Sequence, residues 1–388
     1  MRAEAAATRF RVLTSVREVE ASAWNALVGE TAVPVLRHEW LLALEASGSA
    51  SLQTGWEPHH LTLWRGSALV GLAPAYRKHH SMGEYVYDFS WANAAEAMGV
   101  RYYPKLLVGP ALSPLTAPRF HAAPGESLEV VRKELLAGAL ASAEETSCSS
   151  VHVIFPTAEE AAALEELGLA RRTGMQYHWR NPGYRTYDDF LARFDAKRRH
   201  QLRRERRAAS EQGLTLRTVR GSELTHAHAE LAYRFYESTC SKYAWGRVQL
   251  NRGFFTRVFA SLPQAIELVL AERAGQVVAG AFNLATAQRL YGRYWGAFEE
   301  HPFLHFHVCL YHSIDDCIRL GRQVFEPGAG GEHKVSRGFQ PTPIHSAHRI
   351  FHPQLEAAVR RFVERERAEL APILARSEEL AGLRRPAD

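Results

Sequence analysis

Three stretches of the chain place side chains in patterns that can do chemistry. In FEPGAGGEHKVSRGFQPTP (325–343) a strand runs into Gly328, Gly330 and Gly331, then into Glu332, His333, Lys334 and Arg337. Glycines let a backbone approach a ligand closely, and the carboxylate, imidazole and cations beside them offer a base, a proton shuttle and charge stabilisation. A plain turn with surface charges can carry the same letters; the density of titratable groups directly after a core strand favours function. In Arg289–Phe298, Arg293, Tyr294 and Trp295 follow one another, and strand alternation predicts Arg293 and Trp295 on one face and Tyr294 on the other. A tyrosine can protonate a leaving thiolate or alkoxide, although tyrosines in strands mostly just pack. The third stretch is Lys197, Arg198, Arg199, Arg203, Arg204, Arg206 and Arg207, offset only by Glu205. It can hold phosphates of RNA, a coenzyme or an anionic lipid surface, or be a solvated amphipathic helix; no aromatics are interleaved to stack single-stranded bases.

Two further groups are weaker. Asp88, Trp91, Tyr102, Tyr103 and Lys105 can line a cleft or form an aromatic packing layer with Asp88 as a local cap. His305, Cys309 and His312 fall at i, i+4 and i+7, able to present three metal ligands, but Leu304, Val308 and Cys317 share that face. A half-buried core face is the expectation there, and no metal. A G-x-S-x-G elbow is missing, which leaves a serine triad unsupported.

These residues need elements to hold them. HHLTLWRGSALVGLAPAYRKHH (59–80) reads as strand, turn at Gly66, strand; IELVLAERAGQVVAGAFNLATAQRLYGRYWGAF (266–298) repeats this around Gly275 and adds a third, aromatic-rich strand. Both copies are expected to run from an aromatic strand through a polar loop into an amphipathic helix, so the chain reads as a duplicated domain with mixed α/β layers. The missing GxGxxG disfavours a Rossmann order. The boundary is expected near NPGYRTYDDF (181–190), giving domains 1–180 and 181–388. The second opens with one long helix whose Leu191, Phe194, Leu202 and Ala209 share a face, with Gly213 closing it.

With 46% hydrophobic and 23% charged residues over 388 positions, the chain excludes disorder as its main state and has length for two cored domains. Lys plus Arg is 47 against 42 for Asp plus Glu, too small a surplus for a packaging role. The cysteines, Cys148, Cys240, Cys309 and Cys317, form no C-x-x-C pair, which indicates a reducing compartment. MRAEAAATRFRVL lacks a signal peptide's apolar stretch, and no membrane-spanning run occurs, so a cytoplasmic protein is expected, at most peripheral at the inner membrane.

GEYVYDFSWANAAEAMGVRYYPKL (83–106), QYHWRNPGYRTYDDFLARFDAKRRHQLRRER (176–206), LYGRYWGAFEEHPFLHFHVCLYHSID and FEPGAGGEHKVSRGFQP together resemble the bacterial FemAB-like N-acyltransferases of the GNAT superfamily, labelled peptidoglycan biosynthesis or recognition. The resemblance covers roughly residues 10–370. It implies two tandem GNAT-like (acyl-CoA N-acyltransferase) domains with mixed, mainly antiparallel sheets, the second carrying the catalytic cluster. It implies amide formation without a covalent enzyme intermediate. The co-substrate would be an acyl-CoA, an acyl carrier protein or an aminoacyl-tRNA, with no bound cofactor. The acceptor would be a cell-envelope amine, either a peptidoglycan precursor or a long-chain lipid amine. Bacterial ceramide synthases resemble the same group and acylate a sphingoid base; a recognition protein without chemistry is the other alternative. The family's lysine before Gly-Phe looks like Lys334, ahead of Arg337, Gly338 and Phe339. GAFEEHPFLHFH lacks the Q/R-x-x-G-x-G/A loop of acetyl-CoA users, which speaks against ordinary acetyl-CoA binding, and ALSP replaces the more usual Pro-Phe-Thr-Pro run.

Amide synthesis needs a neutral amine, a polarised carbonyl and a protonated leaving group. The expected roles are Glu332 with His333 for the amine proton, Lys334 and Arg293 for charge stabilisation, and Tyr294 for the leaving group. Asp88 is expected to orient the acceptor ammonium, with Trp91, Lys105, Trp295 and Arg337 contacting substrate and Arg199, Arg203 and Arg206 binding phosphate.

Overall fold

The structure is a computed structural model and describes residues 7–29, 33–242 and 248–384. It divides into two compact units: the chain up to Gly174 with Ile344–Leu370, and Met175–Pro343 with the chain from Ala371 onward. The single cut expected at 180/181 falls near the first crossing, but the return of 344–370 to the first unit has no counterpart in it. The crossings at 174/175 and 343/344 lie inside continuous strands, β9 (Ala170–Arg180) and β15 (Gln340–Ile350), and the one at 370/371 inside a continuous helix, so no linker composition announces them.

The first unit holds an antiparallel sheet in the order β1 (Thr8–Leu13), β3 (His60–Arg65), β4 (Ala68–Ala73), β7 (His121–Ala122). A second sheet runs from the end of β15 through β8 (Ser150–Ile154), β6 (Lys105–Val108) and β5 (Ala75–Lys78) to β2 (Trp56–Pro58). Among the described residues only β6 and β8 pair in parallel there, and their crossover helix is α4 (Leu128–Glu145). The Ser127 hydroxyl caps α4 by accepting from the Val130 N–H at 3.4 Å. Val131, Leu135, Ala139 and Ala143, one turn apart, carry its apolar stripe against Leu61, Leu63, Leu106 and Val151. α1 (Ala21–Val28), α2 (His38–Ala46), α3 (Phe89–Ala97) and α5 (Ala158–Glu166) complete the unit with the first turns of α12 (Pro353–Ala375), whose Leu355, Val359 and Val363 bury beside Trp91 and Ile350. That burial is why the chain returns. The aromatic strand expected after the first hairpin is not formed where the chain reads YVYDF: Tyr85 takes a left-handed φ of 60° and Asp88 turns inward toward a lysine.

The second unit's sheet runs β10 (Leu214–Arg220), β11 (Ile266–Arg273), β12 (Gln276–Ala285), β13 (Arg289–Ala297), β14 (Val324–Glu326), then the second half of β9. Its one parallel pairing among the described residues is β13 with β14. The β11–β12 hairpin turns at Gly275, φ 76°, as its counterpart turns at Gly66, φ 61°. Each unit therefore repeats one plan, a hairpin followed by a parallel strand pair bridged by a helix. The long helix expected from Phe190 breaks into α6 (Tyr187–Ala192) and α7 (Ala196–Glu211), because the Asp195 carboxylate accepts from the Arg198 N–H at 2.7 Å and starts a new N-terminus. The predicted face still holds: Leu191, Phe194, Leu202 and Ala209 are all buried. α8 (His226–Cys240) and α9 (Arg252–Ser261) cover one side of the sheet. The other carries α7 and a helix made of α10 (Leu304–Phe306), a π-turn (His307–Tyr311) and α11 (His312–Arg319). Among the described residues no helix is long and apolar enough to cross a membrane.

Candidate functional site

The site in the second unit begins where two strands part. β13 and β14 pair through Arg289↔Val324, Leu290↔Phe325 and Tyr291↔Glu326, and there the ladder ends, because Pro327 has no N–H to continue it. β13 runs on to Ala297. At the same point its register with β12 jumps from Phe282↔Tyr294 to Asn283↔Gly292, leaving Arg293 as the extra residue of a β-bulge. Two glycines allow the close approach before the strands separate: a Cβ on Gly292 would lie 3.1 Å from Pro327 Cα, and one on Gly328 3.2 Å from the Gly292 oxygen.

The bulge corrects the expected alternation. Arg293 does not share a face with Trp295; its Nη2 donates to the Tyr294 hydroxyl at 3.1 Å. Tyr294 stacks on Phe282 at 6.1 Å and meets Tyr236 edge-on at 4.7 Å, on the side covered by α8 and α9. Burial raises its pKa against the pull of Arg293, so the phenol stays protonated at neutral pH. Trp295 points to the other side, where its ring lies 4.5 Å from that of His305, and His305 lies 5.5 Å from His333.

Beyond Glu326 the glycine loop leads into the short 3-10 helix Glu332–Arg337. Lys334 is 5% exposed, and its ammonium donates to the carbonyls of Pro327 at 3.3 Å, Gly328 at 2.9 Å and Gly330 at 2.7 Å. Burial lowers its pKa to about 8. Glu332 and His333 are exposed at the rim. Desolvation and the cations of Lys334 and Arg337 lower the His333 pKa, so its imidazole is neutral at pH 7. Arg337 is buried: Nη2 pairs with Glu205 at 2.7 Å, Nε donates to the Tyr311 hydroxyl at 2.9 Å, and the guanidinium lies 3.4 Å over the Phe306 ring. Gly338 and Phe339 serve the core, since a Cβ at Gly338 would meet Phe190 at 2.7 Å. The structure thus joins Glu332, His333, Lys334, Arg337 and, through His305, Trp295. Tyr294 and Arg293 sit at the bulge with other contacts. Glu205, Tyr311, His305 and Phe306 are the neighbours that sequence did not place around this loop. A glutamate alone amid arginines on a helix was the available signal for Glu205.

The π-turn interrupts the helical spacing of His305, Cys309 and His312. One extra residue in the turn takes His312 out of phase with His305, and His312 bonds Thr218 at 2.8 Å while Cys309 is a half-buried thiol whose pKa desolvation pushes up. No group of three or more His, Cys, Asp or Glu among the described residues is placed to hold a metal ion.

On α7, Glu205 faces inward and most of the cations face out. Arg203 pairs with Asp188 at 3.0 Å, and Arg206 pairs with Asp315 while lying 3.6 Å over the Tyr187 ring. Among the described residues no ion pair engages Lys197, Arg199, Arg204 or Arg207. In the first unit Asp88 and Lys105 are together but closed in. Lys105 is 0% exposed, its ammonium bonded to Asp88, to Glu84 at 2.9 Å and to Ser81 at 3.2 Å, and Tyr102 donates to Asp88 at 2.6 Å. Burial opposes the Asp88 charge, yet Lys105 holds its carboxyl at about 2; burial lifts Glu84 to about 7 despite the same lysine. The carboxylate expected to orient an ammonium already holds one. Trp91 packs on His348 at 4.8 Å and under Arg172 at 5.2 Å.

A model of the FemAB-like family, described as peptidoglycan biosynthesis/recognition, matches residues 15–385. No curated protein sequence matches the chain. Among solved structures, FemX is similar with a TM-score of 0.52 at 11% identity, over 91% of this chain and 100% of that one. L-PGS from Bacillus licheniformis gives 0.49 at 11% identity over 84% and 96% of the two chains. A tandem GNAT protein from the clavulanic acid biosynthesis pathway gives 0.44 at 13% identity over 89% and 98%. The likeness to FemX is one of fold.

Proposed function

The chain belongs to the FemAB-like family of peptidoglycan biosynthesis/recognition proteins, and on that premise we propose that it is an N-acyltransferase joining an activated acyl group to the amine of a cell-envelope acceptor. The observation that carries the reading is the parting of β13 and β14 at the Arg293 bulge, with a lysine-held glycine loop beside it, a protonated tyrosine on one side of the sheet and His333 on the other. An extended acyl donor fits against a strand edge that has lost its neighbour. His333, neutral at pH 7 and beside Glu332, takes the proton the amine sheds as its nitrogen attacks the donor carbonyl. The C–N bond forms and the carbonyl's bond to the donor sulfur or oxygen breaks. Tyr294, its oxygen already accepting from Arg293, keeps its own O–H free to protonate the departing group. Lys334 fixes the loop carbonyls, so its contribution is the shape and dipoles of that loop rather than a direct grip on phosphate.

The unpaired cations of α7 suit the phosphates or acidic partner that every activated donor brings, whether acyl-CoA, acyl carrier protein or aminoacyl-tRNA. The test is mass spectrometry of reactions that pair long-chain acyl-CoA, acetyl-CoA, acyl carrier protein and aminoacyl-tRNA with a sphingoid base and a peptidoglycan precursor. A product heavier than the acceptor by the acyl group names both substrates. Absence of amide from every pair, with the protein folded, removes the transferase reading and favours recognition alone.

A further inference from the structure

α7 carries seven lysines and arginines and turns its single internal carboxylate away from solvent. Glu205 is 2% exposed and shares the buried side of the helix with Leu202 and Ala209. Its Oε1 accepts from Gln201 Nε2 at 2.9 Å; its Oε2 accepts from the Tyr311 hydroxyl and, at 2.7 Å, from Arg337 Nη2. The guanidinium so held uses Nε on Tyr311 at 2.9 Å and Nη1 on the backbone oxygen of His333 at 2.9 Å. Its flat face covers Phe306, whose ring lies 5.5 Å from that of His333. The chain of contacts that starts on Glu205 therefore ends on the main chain and the ring neighbour of the candidate base.

We propose that Glu205, supported by Tyr311, is a positioning residue for proton transfer, acting through Arg337 to fix His333 at the rim of the glycine loop and to balance the positive charge behind it. This rests on the acyltransferase reading and gives that site an acid-base support. A buried Arg–Glu pair can often be replaced by apolar groups without loss of stability. Here the pair's further bonds run to the turn that carries the imidazole. The π-turn contributes by bringing Tyr311 to the same carboxylate.

The groups facing His333 are few. Its own turn supplies Glu332, Lys334 and Arg337. The helix packed on it supplies His305, which burial holds neutral, and the Cys309 thiol beside Lys334. α7 supplies Glu205 behind Arg337, and Arg206, which is paired with Asp315. Of these only Glu205 offsets Arg337 directly. Its removal leaves more positive charge near His333 and disfavours the imidazolium.

The experiment is an NMR titration of the His333 ring, assigned with His333→Gln, in the full-length protein and in Glu205→Gln. The expected result is a fall of about half a pH unit in the His333 pKa, partly restored in Glu205→Asp. An unchanged or raised pKa overturns the proposal. With a substrate pair in hand, Glu205→Gln is expected to lower kcat about tenfold with the donor KM unchanged; a raised KM at unchanged kcat overturns it. If Glu205→Gln fails to fold, Tyr311→Phe keeps the carboxylate and removes one anchor, and is expected to lower kcat several-fold at constant KM; unaltered kinetics there also overturn the proposal. The titration needs no substrate, which separates the two ideas. A titration that moves as expected beside a fully active His333→Gln removes His333 as base and keeps the network. An inactive His333→Gln beside an unmoved titration removes the network alone.

Discussion

Lysine has three N–H bonds to offer, and Lys334 directs all three at carbonyl oxygens of the loop that precedes it. Lys334→Met keeps the stem and removes three hydrogen bonds from a charged donor, so we expect a loss of about 1–3 kcal/mol in urea unfolding together with lost activity. Tyr294→Phe keeps the stacking on Phe282 and removes only the hydroxyl; kcat is expected to fall at least about tenfold while the thermal midpoint stays close to that of the parent. Glu332→Gln, exposed, should lower turnover with little effect on stability, and full activity would remove Glu332 from proton transfer. Since desolvation, Lys334 and Arg337 lower the His333 pKa, kcat/KM should hold at pH 7 and fall as pH drops below 6.5, the ordinary value from which the shift starts. At this scale much of the site could be read ahead: the order Glu332, His333, Lys334, Arg337 after a strand and three glycines marks it. Its partners could not be read, because Glu205 and Tyr311 lie 132 and 26 positions from Arg337 in sequence.

Helix α7 shows what periodicity delivers and where it stops. Leu202 and Ala209 follow the 3.6-residue period to the core, so Leu202→Ala should cost about 2–5 kcal/mol in denaturant unfolding. Replacing Arg199, Arg204 and Arg207 with Gln should leave stability nearly unchanged and reduce the salt dependence of binding a phosphate-bearing donor; unaltered salt dependence would move the donor off this helix. The break before α7 was written in Asp195, a good N-cap that a reading by apolar period alone passes over. The bulge at Arg293 and the π-turn at His307–Tyr311 are of another kind. Each adds one residue to a regular repeat, and what places it is packing against a neighbouring element, which no local pattern encodes. The alternation predicted for Arg293 and the i, i+7 geometry predicted for His305 and His312 both failed for that reason.

Across the molecule, burial keeps many histidines neutral. His59 and His121 have pKa values lowered to about 4, and His152 and His178 to about 3, all chiefly by desolvation. Their folded pKa values lie below the unfolded 6.5, so the unfolded chain takes up protons that the folded one refuses. Stability from these groups is complete above pH 6.5 and is lost as pH falls toward 4, by roughly 1 kcal/mol per histidine one unit below that pKa. Urea midpoints measured from pH 7.5 to 4.5 should therefore decline steeply, and a flat profile would contradict the burial. His152 and His348, opposite each other on β8 and β15, hydrogen-bond Nδ1 to Nδ1 at 2.7 Å, so in the neutral pair one must donate and the other accept. The two-unit plan was legible from the repeated hairpins around Gly66 and Gly275, and the return of residues 344–370 was not, since the apolar residues of β15 and α12 look alike whichever unit they join. That return bears on how the protein is made. On the ribosome the first unit emerges early but lacks the strand that covers β8 until residues 175–343 of the second unit have been translated. During that interval the nascent chain presents an unpaired sheet edge, the kind of surface that holdase chaperones shield and that aggregation exploits.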